Sequence, residues 1–130
     1  MVKSTALDVG QDALREDHAH GPIDMEHLAG QTLGDPGLQD EVLRLYATMS
    51  QVYMGRIEDS TSVPMLLEHL HTLKSAAAGI GAWSVRDLAR RAEDELRAGQ
   101  PVNPERIEDI AMAVAECVAF IDSVVEQHAD

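Results

Sequence analysis

The sequence predicts an all-α fold, an antiparallel up-down four-helix bundle with a short additional N-terminal helix. Three observations carry that expectation. Apolar residues recur at alternating spacings of four and three through four long segments. Capping residues or prolines open those segments, and Gly or Pro closes several of them. No segment shows the every-other-residue alternation of a strand, and the short links favour antiparallel neighbours.

Residues 1–22 read as a flexible N-terminal extension and residues 23–130 as the helical bundle domain. The extension is polar, with room for a helical turn near Asp12–Asp17, and Gly21-Pro22 marks the break into the folded part. A short helix follows from Asp24, its candidate N-cap, to Leu33. Asp35-Pro36 opens the next helix: the Asp side chain accepts from free backbone N–H groups, and Pro loses nothing at the first helical position. Its expected apolar stripe is Leu38, Val42, Leu45, Met49 and Val52, running to about Glu58. Ser60-Thr61-Ser62 is a turn and cap, and the helix beginning at Val63-Pro64 carries Leu66, Leu70, Leu73, Ala77 and Ile80 inward before Gly79 and Gly81 end it. Ser84-Val85-Arg86-Asp87 resembles a capping box, with Val85, Leu88, Ala89, Ala92 and Leu96 inward, Gly99 as terminating glycine and Pro101 as block. Asn103-Pro104 starts the last helix, whose stripe is Ile107, Ile110, Ala111, Val114, Val118, Ile121 and Val125.

Composition narrows the function. At 130 residues one hydrophobic core is feasible without disulfides or metal. Aromatics are only 3%, so Ala, Leu and Val must fill that core, which suits close helix packing; Met49, Met54 and Met112 are expected to fill gaps. The formal charge of -13, from 10 basic and 23 acidic residues, repels phosphate backbones and anionic lipid, so neither nucleic acid nor membrane is an expected partner. Cys117 is the single cysteine and stands among apolar residues at helical spacing, so it reads as a buried structural thiol. No stretch approaches 18 apolar residues and no leader is evident at the N-terminus, which predicts a cytoplasmic protein.

The stretch from Glu68 to Ala82 holds the candidate chemistry. Neighbours three and four apart share a helix face, so His71 lies with Glu68, Lys74, Ser75 and Ala78, away from the Leu66/Leu70/Leu73 stripe and exposed at mid-helix. An exposed imidazole is a usable nucleophile near neutral pH. Lys74 can offer it an ammonium one turn on, and Ser75, Ala78 and Gly79 are small enough for another protein to approach. Such a His–Lys pair is also found on ordinary solvated faces, so the spacing alone does not assign a role. His69 points elsewhere, and Glu68-x-x-His71 is half of a di-iron bundle motif with no second copy, so no metal site is expected there. His18-x-His20 could bind a metal weakly, but reads as part of the polar tail. Trp83 is either a plug at the bundle end, the favoured reading, or part of a partner-facing surface.

His71-Thr72-Leu73-Lys74 followed by Gly81-Ala82 resembles the signature of histidine-containing phosphotransfer (HPt) domains: His-x-x-Lys-Gly, a small-residue stretch, then Gly-Ala. The likeness extends through helix lengths over roughly residues 23 to 127, including the Asp35-Pro36 opening and the Arg97-Ala98-Gly99 turn. The resemblance implies phosphorylation of His71 on Nε2, a phosphoryl-holding role for Lys74 and a ring-orienting role for Glu93, the matching position on the next helix. Ser75 stands where the family usually has Gly; its hydroxymethyl group could crowd a partner or hydrogen-bond the phosphoryl oxygens.

By this resemblance the chain is a phosphorelay intermediate, carrying a phosphoryl group to and from receiver-domain aspartates. It would be a phosphocarrier and not a kinase in its own right, since it has no Gly-rich phosphate loop. The implied partners are response-regulator receiver domains and a hybrid histidine kinase. The chain itself would be a monomer without a cofactor, with Mg²⁺ in the partner receiver. The exposed side of the second and third helices around His71 would dock the partner, with little apolar area and hence transiently. Two alternatives stand beside it: a non-catalytic helical adaptor, and a phosphoacceptor domain served by a separate histidine-kinase catalytic domain.

Overall fold

The computed structural model describes residues 21–128. The expected N-terminal extension up to His20, including the turn near Asp12–Asp17 and the His18/His20 pair, lies outside the described residues. Five helices follow in order: α1 (Met25–Gln31), α2 (Pro36–Glu58), α3 (Val63–Ile80), α4 (Trp83–Arg97) and α5 (Pro104–Gln127). The four long ones form an antiparallel bundle in which α2 packs on α3 and α5, and α4 packs on α3 and α5; α1 lies against α3. No strand occurs among the described residues, and no helix there is long and apolar enough to cross a membrane.

Most helix starts follow the cap chemistry. Asp24 accepts from the His27 N–H at 3.0 Å. Asp35 accepts from Gly37 and Leu38, Ser62 from Met65 and Asn103 from Glu105. One start differs: α4 begins at Trp83, with Ala82 as N-cap and no side-chain cap, so the Ser84–Asp87 capping box is not used. The tight α3–α4 corner explains this. Gly81 turns the chain at φ 85°, and its carbonyl accepts from the Asp24 N–H at 2.9 Å. A Cβ at Gly81 would meet the Asp24 Cβ and carbonyl oxygen at 3.1 Å, so the corner requires glycine twice over.

The expected inward stripes of α3, α4 and α5 pack inward, with Leu66, Leu70, Leu73, Ala77 and Ile80 all buried and Leu88, Ile107, Ala111, Val118 and Val125 half-buried at the margins. Cys117 is buried, its Sγ 3.5 Å from the Pro22 carbonyl, so the bundle already holds the chain at Pro22. The α2 stripe requires correction. Leu43, Tyr46, Ala47, Ser50, Met54 and Ile57 face the core. Leu38, Leu45 and Val52 are instead 42%, 66% and 48% exposed, and Val42 and Met49 are only half-buried. The inward face is rotated by about one residue because it is built from an Ala, a Ser and a Tyr as well as aliphatics. Met54 fills the core as expected; Met112 is 62% exposed and does not.

Candidate functional site

His71 lies midway along α3, and the register of the Leu66/Leu70/Leu73/Ala77 stripe turns it outward. Its side chain is 60% exposed. Ser75, one turn on, is also exposed, and Ala78 and Gly79 leave the surface beyond it low. His69, two residues before, turns toward α2 and meets the edge of the Tyr53 ring at 6.0 Å, so the two histidines serve different faces.

Glu93 is the centre of the site. It occupies the α4 face that packs on α3, between Ala92 and Leu96, and its side chain is only 3% exposed. Oε1 lies 2.9 Å from Lys74 Nζ. Oε2 accepts from the Arg97 guanidinium at 3.3 Å and faces His71 Nδ1 at 3.6 Å. The last distance is longer than a hydrogen bond and places the carboxylate as an electrostatic neighbour of that nitrogen. Burial alone would push the Glu93 carboxyl up. The contacts from Lys74 and Arg97, with His71 adding to them, outweigh burial and hold it below the usual carboxylate value.

The arrangement thus brings His71, Lys74 and Glu93 together and leaves Ser75 on the rim. Lys74 rests on Glu93, the carboxylate that faces His71. Arg97, which the sequence offered only as part of a turn, completes the group. Its signal was the four-residue spacing from Glu93, which places acid and base on one helix face. Nδ1 of His71 faces the protein, while Nε2 has no partner among the described residues. A buried anion flanked by two cations, beside an exposed ring with one nitrogen open, suits nucleophilic attack by that nitrogen on an anionic electrophile. No group of three or more potential metal ligands converges among the described residues. Trp83 sits at the bundle end, away from this group, against Asp24 and His27.

Comparison with known proteins gives a consistent picture. A family model described as the Hpt domain matches residues 38–123. Among solved structures, the chain resembles the histidine phosphotransferase ShpA from Caulobacter crescentus, with TM-score 0.65 and 25% identity, over 84% of this chain and 95% of that one. It also shares its fold with a rice protein described as a candidate histidine-containing phosphotransfer protein, with TM-score 0.60 and 18% identity, over 97% of this chain and 95% of that one. No curated protein matches by sequence.

Proposed function

The chain belongs to the Hpt domain family, and on that premise we propose that it carries a phosphoryl group on His71 between the aspartates of response-regulator receiver domains in a two-component phosphorelay. The observation that carries this reading is the orientation of one ring: His71 is exposed, with Nδ1 turned toward a buried carboxylate and Nε2 open to an incoming protein.

The step balances without a proton leaving or arriving. The Nε2 lone pair forms the P–N bond as the P–O bond of the donor's aspartyl phosphate breaks, and that electron pair returns to the donor carboxylate. The ring keeps its Nδ1 proton and becomes cationic, facing Glu93. In the reverse direction an acceptor aspartate attacks phosphorus, and the electron pair returns to Nε2. Mg²⁺ would be supplied by the receiver. Phosphorylation adds about -1.5 to -2 charge, which Lys74 and Arg97 are placed to offset. Four of the chain's ten basic residues, Arg86, Arg90, Arg91 and Arg97, lie on α4 and balance its four acidic ones, so this helix is neutral in a chain of formal charge -13.

The docking face on α2 and α3 is more apolar than its sequence pattern suggested. Leu38, Leu45 and Val52 stand seven residues apart on the exposed side of α2. They offer a receiver a hydrophobic ridge in place of a wholly polar surface. As a monomer in the cytoplasm the domain would meet its receivers by diffusion.

Incubation with a phosphorylated receiver and Mg²⁺ tests the proposal. Transfer should appear as an acid-labile, base-stable label on this chain, and His71→Gln should remove it with helicity intact. A non-catalytic adaptor would bind without gaining label. A phosphoacceptor served only by a kinase catalytic domain would take label from that kinase and none from receivers.

A further inference from the structure

Glu93 is a carboxylate in contact with both cations that a phosphoryl group on His71 would use. Lys74 Nζ is 2.9 Å from Oε1, and Arg97 is 3.3 Å from Oε2. The carboxylate is almost wholly shielded, at 3% exposure, so water does little to replace either cation if it departs. Glu93 is the charged group that faces His71, and Lys74 on the His71 helix and Arg97 on α4 are its two cations. With a neutral ring, they sum to one positive charge.

A phosphoryl group on Nε2 changes that balance. It brings a second anion into reach of the same two cations. Lys74 and Arg97 have donors to spare, but moving toward the phosphoryl oxygens shares or lengthens their contacts with Glu93, and a buried carboxylate with weakened cation contacts is unfavourable. A neutral amide of the same shape would release both cations at little penalty.

We propose that Glu93 is a positioning residue that competes with the phosphoryl group for Lys74 and Arg97, so that phospho-His71 is held weakly and discharges readily. This rests on the phosphocarrier reading and adds a direction to it: the domain is built to pass the group on rather than to store it. Glu93→Gln keeps the size and the acceptor oxygen and removes the charge.

The test uses the full chain, phosphorylated with phosphoramidate and followed by ³¹P NMR at neutral pH. Glu93→Gln should lengthen the half-life of phospho-His71 several-fold. Lys74→Met should shorten it less than two-fold in the wild-type background, where Glu93 already occupies the ammonium, and by a larger factor in the Glu93→Gln background. A purely structural role for Glu93 would not produce that non-additivity. A Glu93→Gln half-life equal to or shorter than wild type, with helicity retained, overturns the inference. So does a Lys74→Met effect equally large in both backgrounds. Should Glu93→Gln lose helicity, Lys74→Met in the wild-type chain decides alone: a large loss of half-life overturns the competition and a small one upholds it. Failure of the wild-type chain to take phosphate at all would instead sink the phosphocarrier reading.

Discussion

Trp83 Nε1 donates a hydrogen bond to Asp24 Oδ2 at 2.9 Å, joining residues 59 positions apart. Asp24 also caps α1, and the Trp83 ring lies edge-on to His27 at 4.9 Å with the Arg86 guanidinium 4.5 Å above it. One indole thus fastens α1 to the corner where α3 turns into α4.

Trp83→Phe keeps most of the ring and removes the donor. It should lower stability by about 1–2 kcal/mol, the usual range when one partner of a partly buried hydrogen bond is lost. Asp24→Ala removes the cap as well and should lower stability further. Thermal unfolding followed by circular dichroism checks both, and equal melting temperatures for Trp83→Phe and wild type would show that the fastening contributes nothing.

Two neighbouring leucines on α2 should behave oppositely. Leu43 is fully buried, so Leu43→Ala should cost about 2–5 kcal/mol. Leu45 is 66% exposed, so Leu45→Ala should stay within about 0.5 kcal/mol of wild type. Leu45→Glu should retain the fold yet slow phosphotransfer from a receiver several-fold, if the outer ridge of α2 contacts it. Urea unfolding and transfer rates on the same proteins separate the two effects.

The Glu93 network has a definite acid signature. Its folded-state carboxyl is held below its ordinary value of 4.5, so the stabilisation it supplies is complete above that value and is lost as pH falls through the lower, folded one. The stability difference between wild type and Glu93→Gln should therefore shrink as pH is lowered from 7 through this acid window. Urea midpoints measured along the series give the slope, and a difference that grows toward acid would contradict the geometry.

Cys117 should be chemically quiet. Burial, with Glu116 adding to it, pushes its thiol up to about 12, so almost no thiolate exists near neutrality. Alkylation by iodoacetamide should be slow in the native chain and fast after unfolding in urea.

Much of the bundle is legible in the sequence because its signals are local. Asp35-Pro36, Ser62 and Asn103-Pro104 announce helix starts through chemistry confined to one turn, and the Leu66-to-Ile80 stripe coincides with the buried face of its helix. α2 was harder to read because it carries two apolar faces. Leu38, Leu45 and Val52 outshine a core face that includes Ala47, Ser50 and Tyr46, and only the packing of α3 and α5 decides which turns inward. The same limit applies at the site. The outward register of His71 follows from periodicity, whereas the attachment of Lys74 to Glu93 depends on how α3 and α4 meet. The start of α4 at Trp83, in place of the Ser84 box, is set at the Gly81 corner by its bond to Asp24, from a distant part of the chain.

In the proposed relay one exposed imidazole accepts the phosphoryl group through its outward nitrogen. Long-range ¹H–¹⁵N NMR of the ¹⁵N-labelled chain, before and after treatment with a phosphorylated receiver, tests it most directly. A single ring should change, that of His71, with ³¹P coupling at Nε2 and the proton retained at Nδ1. Phosphate on Nδ1, on any of the other five histidines, or on no histidine would argue against it.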